Sequence, residues 1–196
     1  MHASPDSDVP YVLALCSSPR NPSNSEALAD QLVAGAEAAG AQAEKLRLHE
    51  MDIRPCTGCD ACQIDAEAEC WIRDDMAELL AKVRRADALI LASPIYFFSV
   101  NAQMKVAMDR LYSLFGRDAY DTLAGKRVAV ALTYGDPDAL SSGAGNAMGM
   151  FRDACRFLQM ELVGWVHAAC GRPGEIQSNT AALEAARKLG ERLAGA

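Results

Sequence analysis

The 196-residue chain lacks any apolar run near the roughly 20 residues that a membrane-spanning helix needs. It lacks an excess of positive charge: 19 Lys and Arg stand against 26 Asp and Glu, a formal charge of −7. A protein that grips nucleic-acid phosphates carries a basic stripe and a polybasic membrane anchor carries a basic cluster, so no nucleic acid and no membrane are expected as partners. Short catalytic signatures are missing too. There is no G-x-x-x-x-G-K-[ST] loop, no G-x-G-x-x-G fingerprint, no G-x-S-x-G elbow and no H-E-x-x-H helix. The three histidines (His2, His49, His167) are scattered and suggest no metal triad. The best leader candidate, residues 11–16, is too short and follows Asp6 and Asp8 rather than Lys or Arg. The expected location is the cytoplasm.

What is present is enough apolar residue, 51% against 23% charged, to fill one globular core. Residues 10–196 read as a single domain behind a loose tail over 1–9. Continuous apolar runs at 11–16, 87–92, 127–133 and 161–167 suit strands covered on both faces, and the more polar 43–48 suits an edge. Helical periods fall between them, at 25–39, 75–85, 101–115, 146–159 and 179–194. Asp74-Asp75 stands at the start of the second, where acidic residues suit the dipole. The segment Gly143-Ala144-Gly145 reads as a flexible loop. Strand–helix alternation of this kind gives right-handed crossovers and a parallel sheet. The expectation is an α/β, flavodoxin-like, doubly wound five-stranded sheet of order 2-1-3-4-5.

In such a sheet, ligands sit outside the carboxyl ends of the strands, at the switch point. The loop after strand 1 holds Ser18, Arg20, Ser23, Asn24 and Ser25 and opens onto a helix N-terminus, where free N–H groups and the dipole favour an anion. An ordinary capped turn uses the same residues. Aromatics make up only 6% of the chain, yet three stand together after strand 3, in Pro94-Ile95-Tyr96-Phe97-Phe98, at the mouth of the sheet. A flat ring would stack there, although the same residues would also serve to start a helix or make an oligomer contact. Thr133, Tyr134 and Gly135 follow strand 4. Phosphate beside a flat ring points to FMN.

Ser17-Ser18-Pro19-Arg20 with Ser23-Asn24-Ser25, then Ser93-Pro94-Ile95-Tyr96, Gln103-Met104-Lys105 and Asp109-Arg110, resemble the NADPH-dependent FMN reductase family, over nearly the whole chain from Tyr11 to about Leu193. Where this chain has Ser17, that family usually has Gly. The resemblance implies that Ser18, Arg20, Ser23, Asn24 and Ser25 hold the FMN phosphate. It implies that Pro94, Ile95, Tyr96, Phe97 and Phe98 line the isoalloxazine and that Thr133, Tyr134 and Gly135 close the other side.

Seven cysteines, four of them at Cys56, Cys59, Cys62 and Cys70, do not form a secreted disulfide framework. The C-x2-C-x2-C-x7-C run resembles the compact motif of iron–sulfur flavoproteins, which implies a [4Fe–4S] cluster on these four residues. Zinc and cluster-free thiols stay open as alternatives. Asp60, Asp65, Glu67 and Glu69 favour free thiols, because acidic neighbours raise a thiol's pKa. Cys16, Cys155 and Cys170 read as core residues.

The implied activity passes hydride from NAD(P)H through FMN N5 to a small acceptor such as a quinone, a free flavin or an aromatic compound, with no protein residue as acid or base. The alternative is an electron carrier in which cluster and FMN accept electrons from a ferredoxin-like partner. The apolar surplus on helices 101–115 and 146–159, with Phe97 and Phe98 beside the first, predicts a homodimer or homotetramer.

Overall fold

The structure, a computed structural model, describes residues 9–64, 70–114 and 120–195. Phe115, Asp65, Glu67, Glu69 and the N-terminal tail up to residue 8 lie outside the described residues. Along the chain run β1 (Tyr11–Cys16), α1 (Asn24–Ala38), β2 (Gln42–Arg47), α2 (Met76–Arg85), β3 (Ala88–Tyr96) and β4 (Ser99–Val100). There follow α3 (Ala102–Arg110), α4 (Tyr120–Leu123), β5 (Arg127–Tyr134), α5 (Ala144–Phe157), β6 (Glu161–Ala169) and α6 (Thr180–Ala194). The sheet order is β2-β1-β3-β5-β6, with every neighbour parallel and β4 paired antiparallel to the end of β3. Apart from that two-residue strand, this is the expected doubly wound order.

The continuous apolar strands follow from two covers. Leu13 and Leu15 of β1 face a core built with α2, α3 and α5, while Val12, Ala14 and Cys16 face one built with α1 and α6. Met76, Leu79, Leu80 and Val83 of α2 are all buried on one face, at the spacing of an amphipathic helix, each worth about 1.5–3 kcal/mol of burial. On the other side, α1 and α6 cross so closely that a Cβ on Gly190 would stand 2.0 Å from the Leu32 carbonyl oxygen. A Cβ on Gly35 would meet that of Arg187 at the same distance. Only glycine permits backbones this near.

Four sequence expectations are corrected. Residues 93–96 are not a loop, because β3 continues through Tyr96 and turns back into β4. The third helix stops at Arg110 and tightens into a 3-10 turn over Leu111–Leu114, where Ser113 Oγ donates to the Arg110 carbonyl at 3.0 Å. Gly143 is no loose loop residue but the N-cap of α5, in the left-handed region (φ 84°) and packed on the β3–β4 turn. Finally, β6 is an edge strand: Trp165, His167 and Ala169 are exposed on one face, while Val166 and Ala168 are buried on the other.

Candidate functional site

The carboxyl ends of β1, β3 and β5 lie side by side: Cys16 pairs with Ala92, and Pro94 with Thr133. One side chain ties two of these ends together. Asn101 donates from Nδ2 to the Ser17 carbonyl at 2.7 Å, and its backbone N–H reaches Ser93 Oγ at 3.3 Å. Its Oδ1 accepts from the Met104 amide at 3.4 Å, so the same residue caps α3. Ser17 itself is fully buried, with its hydroxyl donating to the Ala92 carbonyl at 3.1 Å, which accommodates a side chain where glycine is usual. Cys16, at the end of β1, is inert: burial, with Glu26 beside it, pushes its thiol up to about 12.

The loop over residues 17–24 delivers the chain to the N-terminus of α1. Ser23 is the N-cap, accepting the Glu26 amide on Oγ at 3.1 Å, and Ser25 Oγ lies 3.3 Å from that same oxygen. The first-turn amides of Asn24 and Ser25 have no intrahelical acceptor. Ser18 Oγ accepts the Arg20 amide at 3.2 Å and keeps its own proton for another acceptor. Arg20 is exposed beside them. Thus Ser23 and Ser25 stand together at the helix start, while Ser18 and Arg20 belong to the loop that leads into it. The Asn24 side chain turns elsewhere, donating to the Arg172 carbonyl at 2.8 Å and accepting the Ile176 amide at 3.2 Å. It fastens the segment after β6 to this loop and leaves only its backbone N–H for an anion. Glu26, one turn into the helix, bonds Lys45 and Arg47, each at 2.8 Å. Burial would raise its pKa, but these two cations outweigh that and hold the carboxyl below the usual range.

The aromatic wall is a two-residue hairpin turn. Phe97 (φ 49°) and Phe98 (φ 67°) both occupy the left-handed region, the backbone of a tight turn normally filled by Asn-Gly. Two bulky residues there cost of order 1–2 kcal/mol each. The turn is held from outside: α5 packs its Gly143 backbone against Phe98, and Asn146 Nδ2 donates to the Phe98 carbonyl at 3.3 Å. Phe97 is 97% exposed and Phe98 56%, their rings meeting edge to face with centroids 5.9 Å apart. Pro94 and Ile95 are half-buried in β3, and Tyr96 is exposed.

Thr133 is buried at the end of β5, and Gly135 is exposed. Tyr134 is buried, and its hydroxyl shares a 2.8 Å hydrogen bond with His167 Nδ1 of β6. Burial keeps its phenol protonated. Its ring is therefore structural, and only its backbone is placed for a ligand. The residues present suit a flavin phosphate and ring: an anion-ready helix start, free hydroxyls and an uncovered aromatic surface meet at one switch point.

The cysteine run lies in the long connection from β2 to α2. Each of three sulfurs accepts an N–H: Cys56 from the Gly58 amide (3.4 Å), Cys59 from the Trp71 indole (2.9 Å) and Cys62 from Gln63 Nε2 (3.4 Å). The Ala61 amide and the Thr57 hydroxyl, with Trp71, hold the Cys59 thiol below its ordinary value. N–H groups aimed at sulfur tune metal-bound thiolates and also serve free thiols, so only the residue types match those a cluster takes. The four sulfurs are not gathered: among the described residues, no three His, Cys, Asp or Glu side chains converge as metal ligands. Cys16, Cys155 and Cys170 are buried core residues, as expected.

The base of this connection is clamped by a buried ion pair that sequence reasoning missed. Arg110 Nη1 and Nη2 reach Asp74 Oδ2 and Oδ1 at 2.7 and 3.1 Å, with both side chains almost wholly buried. Asp74 also accepts the amides of Arg54 (2.9 Å) and Met76 (3.1 Å), and Arg110 donates to the Arg54 carbonyl at 2.8 Å. Next to it, Asp75 Oδ2 accepts the Asp52 amide at 2.7 Å. The acidic pair that looked like helix-dipole residues therefore zips two ends of a loop. The sequence offers only an Asp and an Arg, 36 positions apart, each beside other charged residues (Arg73, Asp75, Asp109) that give no sign of which pair is buried.

A parallel sheet of this order with its open mouth at β1, β3 and β5 defines a flavodoxin-like protein. The model of the NADPH-dependent FMN reductase family matches residues 10–172, and the chain belongs to that family. It is accordingly an FMN-dependent oxidoreductase. It is 31% identical to an iron–sulfur flavoprotein of Archaeoglobus fulgidus, over 94% of this chain and 79% of that one. It is 29% identical to an iron–sulfur flavoprotein of Methanocaldococcus jannaschii, over 93% and 95% of the two chains. Among solved structures, the NAD(P)H:quinone oxidoreductase of Methanothermobacter marburgensis shares the fold, with a TM-score of 0.70 at 21% identity, over 94% of this chain and 97% of that one. Among the described residues, no helix is long and apolar enough to cross a membrane.

Proposed function

We propose that this chain transfers reducing equivalents from NAD(P)H to a small oxidised acceptor, a quinone, a free flavin or another aromatic compound, at the switch-point mouth. The observation that carries the reading is the meeting there of a hydroxyl-lined helix start and the exposed Tyr96-Phe97-Phe98 surface. FMN, held there, would supply the two-electron chemistry between nicotinamide and acceptor. The hydroxyls of Ser18, Ser23 and Ser25, the first amides of α1 and the Arg20 guanidinium bind the phosphate. Residues 94–98 would line one side of the ring, and the backbone of residues 133–135 would border the other. No side chain of the chain acts as acid or base, and the balancing proton comes from water. Exposed apolar residues of the turn and of α5, Phe97 and Phe157 among them, support assembly as a homodimer or homotetramer.

The test is FMN titration of the flavin-free protein, followed by NADPH oxidation with a quinone. Tight one-to-one binding and rapid turnover are expected, with Arg20→Ala weakening FMN about tenfold, the loss of one charged hydrogen bond. A protein that does not bind FMN sinks the reading.

A second reading has a specific observation in its favour: the three N–H-supported sulfurs in a chain whose relatives include proteins named iron–sulfur flavoproteins. Here Cys56, Cys59, Cys62 and Cys70 hold a [4Fe–4S] cluster, and the acidic surface docks a ferredoxin-like donor. Iron and acid-labile sulfide in anaerobically purified protein, with negligible NADPH oxidation, would favour it over direct nicotinamide reduction.

A further inference from the structure

The segment after β6 is fastened to the start of α1, although 148 positions separate Asn24 from Arg172. Asn24 Nδ2 donates to the Arg172 carbonyl at 2.8 Å, and the Ile176 amide donates to Asn24 Oδ1 at 3.2 Å. Gly174 sits against Pro22 of the loop before α1, where a Cβ would stand 3.2 Å from the proline ring. The Arg172 amide donates to Glu175 Oε2 at 2.8 Å, which closes the turn on itself. Pro173 disfavours a helical backbone at Arg172. The backbone of Arg172 is thus pinned beside the first residue of α1, while its side chain is exposed. Among the described residues, that guanidinium makes no ion pair and no hydrogen bond. Lys45 and Arg47, by contrast, are both engaged by Glu26 of α1.

We propose that Arg172 is a second cation for the phosphate of FMN, and that Asn24 is the positioning residue that holds it there. The inference rests on the reading that the phosphate sits at the start of α1. A phosphate monoester carries a charge of about −1.5 to −2 at neutral pH. Against it, the dipole of α1 offers about half a positive charge, and Arg20 one more. A chain of net charge −7 has no general positive field to add to these. A guanidinium on an anchored backbone adds a full charge at small cost in conformational freedom, and its fork suits phosphate oxygens. Arg20 belongs to the loop before α1 and Arg172 to the segment after β6, so the two cations are carried by separate parts of the chain. The arrangement also accounts for Asn24, which is 7% exposed and turns away from the anion. Its two hydrogen bonds bring up a cation, and a charged donor serves a phosphate better than one neutral amide would.

The experiment titrates flavin-free wild type, Arg172→Gln, Arg172→Lys, Asn24→Ala and the Arg172→Gln/Asn24→Ala double variant with FMN and with riboflavin, which lacks the phosphate. Each titration is followed by quenching of flavin fluorescence at low and at high salt. Wild type is expected to bind FMN more tightly than riboflavin. Arg172→Gln should weaken FMN about 10-fold, leave riboflavin unchanged and flatten the salt dependence of FMN binding. Arg172→Lys should recover part of the loss, since it keeps the charge without the fork. Asn24→Ala should weaken FMN in the wild-type background and add little in the Arg172→Gln background, the coupling expected when one residue acts through the other. Should Asn24→Ala fail to fold, the exposed Arg172 still carries the test: a loss confined to FMN supports the inference. Wild-type FMN affinity in Arg172→Gln, or equal losses for FMN and riboflavin, overturns it, and additive losses in the double variant overturn the role given to Asn24. If Arg20→Ala abolishes the preference for FMN over riboflavin while Arg172→Gln keeps it, the phosphate reading stands and this inference alone falls. A wild type that binds the two flavins equally sinks both.

Discussion

A side-chain carbon on Gly143 would stand 2.3 Å from the Cα of Phe98, so the start of α5 and the β3–β4 turn are in backbone contact. That contact is what keeps two phenylalanines in a conformation they disfavour, at the mouth of the sheet. Strain retained at such a place is supported by its surroundings and concentrates at ligand clamps.

Gly143→Ala should therefore strike twice, through the positive φ and through the overlap with Phe98. A loss of about 2–4 kcal/mol in urea unfolding is expected, together with weaker FMN binding. Unchanged stability would show that α5 does not brace the turn.

Phe97→Gly should separate strain from function. Glycine relieves the left-handed backbone at an exposed site, so stability should stay level or rise by up to about 1 kcal/mol, while the KM for an aromatic acceptor rises. Destabilisation beyond about 1 kcal/mol would mean that the Phe97 ring packs rather than waits for a ligand.

Asp74 sets an acid limit. Burial alone would raise its pKa, but the Arg110 guanidinium and the Arg54 and Met76 amides outweigh it and depress the folded value. A depressed carboxyl contributes stability above the unfolded pKa of about 4 and loses it as pH falls through the lower folded value. Denaturation curves should show stability falling below about pH 4, with a flatter acid limb in Asp74→Asn. At neutral pH that variant should be less stable by about 3–5 kcal/mol, since it leaves the Arg110 charge buried and less well paired.

Gly190→Ala tests the α1–α6 crossing. Its methyl would overlap the Leu32 carbonyl, so the helices must part, at a cost of about 1–3 kcal/mol by thermal or urea unfolding. FMN affinity should change little, because the crossing lies away from the carboxyl ends of the strands.

Much of this was written locally. The strand at residues 11–16 was readable to the residue because a strand covered on both faces needs an unbroken apolar run, whereas Ser23, Asn24 and Ser25 are all N-cap residue types and only the structure shows that Ser23 is the cap. Periodicity also set the helix faces and, through the alternation of elements, the order of the sheet. It failed at β6, where an apolar run turned out to be a half-exposed edge, since periodicity cannot see whether a helix covers a strand.

The sequence by itself determined the elements, the parallel sheet and the location of an anion-ready loop, because these depend on spacing and on neighbours in the chain. Only the tertiary structure decided that Asn24 ties down the segment after β6, that Asn101 joins β1 to β3, that Gly143 braces Phe98 and that Arg110 meets Asp74. Each of these pairs sites far apart in sequence, and a polar side chain shows its partner only when folding removes the water that would otherwise satisfy it.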